Sequence, residues 1–134
     1  MKISIVTATS NSENYILSNI NSINMQSYKN YEHIIIDNKS NDKTIDIIKK
    51  NGKNLIIKSE KDMGIYDAFN KGIGIASGDI ISILNSDDFY KNSDILEDVV
   101  EIFIKQKVDI VYGNLDYVRR NNINKIVRYW KSNT

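Results

Sequence analysis

The chain has 134 residues, enough for one domain with a real core, and its 41% hydrophobic and 26% charged fractions are those of a globular protein. A formal net charge of +1 gives no general affinity for nucleic-acid backbones, so no nucleic-acid partner is expected and any anion site has to be local. No cysteine and a single histidine exclude disulfides, thiolate ligands and a His-rich zinc site, leaving oxygen to hold any metal.

The first apolar run, Ile3 to Ala8, is too short for a signal-peptide core or a membrane span, and the polar run Thr9 to Asn14 follows it. The cytoplasm is therefore the expected compartment. Four further apolar runs follow: His33 to Ile36, Leu55 to Ile57, Ile80 to Leu84 and Asp109 to Tyr112. Near-continuous β-branched runs of this length suit strands covered on both faces, as in a parallel sheet.

Helical patterns separate the runs. Asn11 or Ser12 can cap a helix reaching about Gln26, and Asn41 or Asp42 one that stops at Gly52. A third spans about Ile65 to Ala76, stopped by Ser77-Gly78. In the fourth, Ser93 is the cap, Asp94 and Glu97 lie in the first turn, and Ile95, Leu96, Val99, Val100, Phe103 and Ile104 form one apolar stripe. Strand and helix alternation makes the class α/β. Beyond Asn114 the segments are mixed polar and aromatic around Asn121-Asn122, the pattern of a hairpin.

Ligands of open α/β sheets bind outside the carboxyl ends of the strands, which makes the residues after each strand the shortlist. Asp87 and Asp88 stand out, because two adjacent carboxylates after the apolar strand repel one another unless a cation lies beside them. Mg²⁺ or Mn²⁺, held by one or two carboxylates and completed by substrate phosphates, would serve. One of the pair capping a turn before Ser93 is the plainer alternative. In the segment Asp62 to Gly72, Gly64 allows close backbone approach and a helix start offers free amides, while Asp67 and Lys71 have the spacing of a surface ion pair. His33 has no acid or nucleophile patterned near it and reads as structural. Arg119, Arg120, Lys125, Arg128 and Lys131 are either a solvated hairpin face or a surface turned to a diphosphate.

In order, the segments Ser4 to Asn11, Gln26-Ser27-Tyr28, Tyr31 to Thr44, Gly64 to Ile73 and Leu84-Asn85-Ser86-Asp87-Asp88 resemble the family 2 glycosyltransferases over essentially the whole chain. The Gly-Ile-Tyr-Asp-Ala stretch is similar to the bacterial branch that builds exopolysaccharide, capsule and O-antigen units. The resemblance implies the GT-A fold, a mainly parallel Rossmann-like sheet flanked by helices, with residues 1–114 as a nucleotide-sugar-binding domain. Residues 115–134 would begin an incomplete acceptor-side region with a hairpin-like extension. It implies an NDP-sugar donor (UDP- or GDP-linked), a saccharide or lipid-linked acceptor, and a place in the cytoplasm that extends to peripheral contact with the inner membrane face.

By the same resemblance, Ala8, Thr9 and Asp37 contact the nucleobase, and Asp67 and the Gly64 region close over the nucleoside. Ser86, Asp87 and Asp88 stand in the family's aspartate motif, Asp87 on the donor and the two aspartates on Mn²⁺ or Mg²⁺. Two positions depart from the pattern. Asp37-Asn38-Lys39-Ser40 replaces Asp-Asp-Gly-Ser, putting an amide, Asn38, where a base NH would be read, and Asn85 replaces the first acid of the aspartate motif. Inversion needs a base to deprotonate the acceptor. After Asn114 the sole acid is Asp116, so the catalytic base is unassigned, and a donor-binding module without turnover is the alternative to an enzyme. A phospho-receiver domain would need an acidic pair where the chain has Thr7-Ala8-Thr9, and a nucleotidyltransferase a Gly-rich basic loop that is missing.

Overall fold

Isoleucine and valine dominate the strands because a branched Cβ is cheaply ordered on a pleated surface and buries well between layers. In the computed structural model, which describes residues 1–133, they form four parallel strands. These are β1 (Ile3–Thr9), β2 (Tyr31–Asp37), β3 (Leu55–Ser59) and β4 (Ile80–Ile83), in the order β3-β2-β1-β4. The alternating helices are α1 (Ile16–Asn24), α2 (Thr44–Asn51), α3 (Ile65–Ile75) and α4 (Ile95–Gln106). Two compact units are present, Met1–Val100 and Glu101–Thr134.

In the first unit, successive residues of β2 serve opposite layers. Ile35 packs with Ile16 and Ile20 of α1 and Ile48 of α2, whereas Ile34 and Ile36 pack with Val6 of β1 and Ala68 of α3. Each of these isoleucines is fully buried and contributes about 1.5–3 kcal/mol. The α3 layer lies so close to the sheet that a Cβ on Gly72 would fall 2.4 Å from Val6 Cγ1. Only glycine fits there without moving a stiff side chain.

The amino end of the sheet is closed by Glu32. Its carboxylate accepts hydrogen bonds from Ser4 Oγ (2.6 Å), Ser77 N (2.7 Å), Ser77 Oγ (2.9 Å) and Lys2 Nζ (3.0 Å). Burial pushes this carboxyl up, but the bonds from Ser4, Ser77 and Lys2 outweigh it and bring it down to about 2.

The ends of the elements and one apolar run test the sequence expectations. Asp109 to Tyr112 is not a strand: it joins no ladder among the described residues, and Ile110 is exposed. A short apolar run becomes a strand only when a partner pairs its backbone. The first helix begins at Ile16 rather than beside Asn11 or Ser12, because Ser12 O first accepts from Tyr15 N and Ile16 N to form a turn. Asp42 does act before α2, its Oδ1 accepting from Thr44 N at 2.9 Å. Before α4, the Ser93 hydroxyl donates to Asp94 Oδ1 rather than capping a backbone N–H.

The second unit contains the end of α4 and an antiparallel hairpin of β5 (Leu115–Arg119) and β6 (Asn122–Trp130). The turn falls on Arg120 and Asn121, one residue earlier than the sequence suggests. The Arg128 guanidinium lies 5.8 Å from the Tyr117 ring centroid and 5.3 Å from that of Trp130, a cation–π arrangement across the strands.

His33 is structural, as its surroundings in the sequence imply: 1% exposed, with Nε2 2.9 Å from Thr7 Oγ1. Burial lowers its imidazole from 6.5 to about 4. Between those pH values the unfolded chain holds a proton that the folded chain does not, so stability falls as pH falls through the window, by up to about 3 kcal/mol. Glu32 adds its own loss only below about pH 4.5. Urea denaturation from pH 7 to 4 should show this slope, and His33→Gln, which keeps a partner for Thr7, should flatten it. An equal slope in both proteins would remove His33 as its source.

Candidate functional site

The strand order reverses between β1 and β4, and α1 leaves β1 on one face while α3 enters β4 from the other. A crevice at the carboxyl ends follows from that topology. Two loop systems border it, one centred on Asp37 and one carrying Asp87 and Asp88.

Asp37 ends β2 with no exposed surface. Its Oδ1 accepts from Thr9 Oγ1 (2.8 Å) and Ser40 Oγ, and its Oδ2 from Ser40 N (2.9 Å) and Ser59 Oγ (2.7 Å). Four donors fill a carboxylate's acceptor positions. Asp37 is therefore the knot joining the ends of β1, β2 and β3. Thr9 sits beside it in register, 3% exposed and committed to it, while Ala8 is half-buried against the α3 layer. Asn38 lies at the rim, half-buried: its N–H reaches Thr9 O (2.9 Å) and its Oδ1 accepts from Asp62 N (3.0 Å). Lys39 is exposed and held at φ 45°, a left-handed conformation that glycine adopts without strain.

Gly64 precedes α3 at φ 114°, with nothing within 4 Å of where a Cβ would stand. Its role is conformational, and the backbone there is open to approach. Asp67 makes the ion pair its spacing suggests, Oδ2 lying 3.0 Å from Lys71 Nζ, and the same oxygen accepts from Met63 N (2.9 Å). The Met63 bond and Lys71 hold its carboxyl below the usual range, and Asp67 and Glu60 raise the lysine. The segment before α3 is thus fixed while Met63 and Tyr66 stay 96% and 79% exposed.

After β4, Asp88 N donates to Asn85 O (3.0 Å) and Asn85 Nδ2 to Asp88 Oδ2 (3.3 Å), so the motif folds back on itself as a turn. Asp87 and Asp88 are both exposed as residues. Desolvation of the Asp88 carboxyl by the surrounding chain, and then the charge of Asp87, raise its pKa against the opposing Asn85 bond. A cation beside the pair would relieve that strain. Among the described residues no three carboxylate or imidazole groups converge on a metal position, so an ion there would need oxygens from a ligand to complete its shell. Ser86 faces Ser12 of the β1 loop, Oγ to Oγ at 3.1 Å, and so links the two sides of the crevice.

Three side chains that build this site do not stand out in the sequence. Ser59 supplies a donor to Asp37 from the end of β3. Asn19 and Ser22 of α1 hold the backbone beyond β4: Asn19 Nδ2 donates to Asn85 O (2.9 Å) and Asp88 O (3.1 Å), and Ser22 Oγ accepts from Tyr90 N (3.0 Å). The available signal was polar residues at helical spacing, Asn19, Ser22 and Gln26, among buried isoleucines. A shallow groove lined by Leu17, Lys43, Asp46 and Ile47, on α1 and α2, contains none of the site residues.

The family model described as "Glycosyl transferase family 2" matches residues 4–133. A PGL/p-HBAD biosynthesis glycosyltransferase of Mycobacterium bovis is 32% identical over 117 residues, covering 84% of this chain and 46% of that protein. The UDP-Glc:alpha-D-GlcNAc-diphosphoundecaprenol beta-1,3-glucosyltransferase WfgD of Escherichia coli is 28% identical over 123 residues, 90% of this chain and 48% of its own. The chain thus spans about half the length of the curated relatives it matches. Among solved structures, S. aureus TarS 1-349 in complex with UDP-GlcNAc superposes with a TM-score of 0.77 at 29% identity, over 81% of this chain and 33% of that one. The mannosyltransferase PcManGT of Pyrobaculum calidifontis, solved with GDP-Man and Mn²⁺, shares the fold at TM-score 0.70 and 20% identity, over 92% of this chain and 37% of its own.

Two substitutions separate the parts of the Asp37 knot. Asp37→Asn turns an acceptor into a donor facing hydroxyl and amide donors, and should cost at least about 1.5–3 kcal/mol in urea denaturation. Lys39→Gly relieves the left-handed strain and should leave stability unchanged or raise it by up to about 1 kcal/mol. A loss with Lys39→Gly would mean that the lysine side chain is itself a structural contact.

Proposed function

Because the chain belongs to glycosyl transferase family 2, we propose that it is the nucleotide-sugar-binding part of an enzyme that moves a sugar from an NDP-sugar to a saccharide or lipid-linked saccharide. The observation that carries this reading is the Asp87–Asp88 pair at the mouth of the crevice, its like charges pressed together where the strand order reverses. A diphosphate with a divalent cation is the ligand such a pair suits.

On this reading Asp87 and Asp88 hold Mn²⁺ or Mg²⁺, with Asp87 and Ser86 also facing the donor. The bound ion would neutralise the diphosphate as it departs, acting as a Lewis acid. The rest is done by the chain. Ala8, Thr9 and Asp37 form the floor under the base, and the bond from Thr9 to the enclosed Asp37 fixes its depth. Asn38, whose Oδ1 is engaged by Asp62 N, offers its amide NH₂ to a base carbonyl, a different preference from an acid at that position. Gly64 admits the nucleoside to the backbone before α3, and Asp67 keeps that segment in place through Met63 and Lys71.

Similarity to TarS, solved with UDP-GlcNAc, and to WfgD, whose name gives a UDP-Glc donor and a diphosphoundecaprenol-linked acceptor, supports a nucleotide sugar and a lipid-linked acceptor here. Transfer with inversion, and a site of action on the cytoplasmic face of the membrane, belong to the same proposal. Among the described residues no helix is long and apolar enough to cross a membrane. Residues 1–114 form the donor domain on this reading and 115–134 the beginning of the acceptor side. No residue of this chain is assigned as the base.

Thermal-shift titration with UDP, GDP and their sugars, with and without Mn²⁺, checks the donor site. Metal-dependent stabilisation of about 2.7 kcal/mol is expected at a hundredfold excess over Kd, and Asp88→Ala should abolish it while the protein still unfolds cooperatively. No metal-dependent response to any nucleotide would sink the assignment. Binding without donor hydrolysis would instead make this chain a binding module.

A further inference from the structure

Residues behind a metal's own ligands orient those ligands and tune the affinity of the site. We propose that Asn19 is a positioning residue for the Asp87–Asp88 pair, and that with Ser22 and Gln26 it presets the β4–α4 loop to receive the cation. This rests on the donor and metal reading above.

Asn19 and Ser22 lie on the face of α1 that also carries Ile16, Ile20 and Ile23, and Gln26 follows four residues after Ser22, just beyond the end of the helix. Each bonds to main chain of the β4–α4 connection, and Gln26 also to the first turn of α4. Asn19 Nδ2 reaches Asn85 O and Asp88 O, Ser22 Oγ receives Tyr90 N, and Gln26 gives Nε2 to Asn92 O (2.6 Å) and takes Leu96 N on Oε1 (3.1 Å). The backbone from residue 85 to 96 is therefore suspended at five points from α1 and the residue just beyond its end. Because the contacts go to main chain, they fix where the loop runs without consuming the carboxylates of Asp87 and Asp88.

Asn19 has a further peculiarity. It is wholly buried, and its Oδ1 is the one buried side-chain N or O atom among the described residues that lacks a hydrogen-bond partner. An orphaned acceptor is a liability that packing alone would remove by placing leucine there. A hydroxyl would avoid much of the liability but has a single proton to give, whereas the two carbonyls need two. Turning the amide over would set its oxygen against both carbonyls. The liability is consistent with a requirement that Asn85 and Asp88 be held together, which pins the turn on which both aspartates stand.

Calorimetric titration of Mn²⁺ into the 134-residue chain saturated with UDP, or with GDP if the wild type prefers it, tests the proposal. Asn19→Leu should raise the Mn²⁺ dissociation constant about 10- to 100-fold, with nucleotide affinity in the absence of metal unchanged. Asn19→Thr, which keeps one donor, should fall between Leu and wild type. A purely structural residue would weaken nucleotide and metal binding together or neither. Wild-type Mn²⁺ affinity in both variants would overturn the proposal, and so would failure of both to fold, which would make Asn19 a folding residue. If the wild type itself shows no Mn²⁺-dependent nucleotide binding, the donor reading has failed instead.

Discussion

A carboxylate with no exposed surface, saturated by four neutral donors, governs the carboxyl end of this sheet. Burying an ionised group is costly unless its acceptors are filled, so the chain must bring Thr9, Ser40 and Ser59 to Asp37 together. Doing so fixes the ends of three strands at once. The neighbouring loops then have little freedom: Asn11 N bonds Ser40 Oγ, Asn41 N bonds Asn11 Oδ1, and Ser12 N bonds Thr44 Oγ1. Ser12 carries the constraint to Ser86 and thus to the aspartates beyond β4.

Strand β2 carries a second buried carboxylate, Glu32, at its other end, and the contrast is informative. Glu32 is neutralised by a cation, Lys2 at 3.0 Å, whereas Asp37 accepts from hydroxyls and a backbone amide. At the closed end the buried carboxylate is matched by a cation. The open end keeps a negative centre beneath its surface, at the same end of the sheet as Asp87 and Asp88, and such a surface favours cations and hydrogen-bond donors over bare anions.

Much of this organisation is legible in the residues. Four of the five apolar runs became strands, because β-branched runs between helical patterns have few other ways to be buried; the fifth lacked a partner for its backbone. Of the residues singled out by position, Asn38, Ser86, Asp87 and Asp88 lie after the strands that precede them, whereas Thr9 and Asp37 are the last residues of β1 and β2. What sequence patterns could not give was the division of labour among them. Nothing in the string marks Asp37 as enclosed and Asn38 as accessible, since that depends on Ser59, a residue twenty-two positions away. Asn19 and Ser22 were hidden for a related reason: their partners are backbone atoms, which have no letter in a sequence. The helix start at Ile16 likewise turned on competition between a turn at Ser12 and a cap there.

The anchoring of the first two residues has a practical consequence. Tyr28 Oη and Asn30 Nδ2 both donate to Met1 O, and Lys2 N donates to Asp79 Oδ2, at the amino end of the sheet. The site loops occupy the far end of the same strands. A dye, bead or surface linker joined at Met1 would therefore be held at the pole of the first unit opposite the site loops. Single-molecule or sensor formats built that way would keep the attachment clear of the loops proposed to receive the nucleotide and metal.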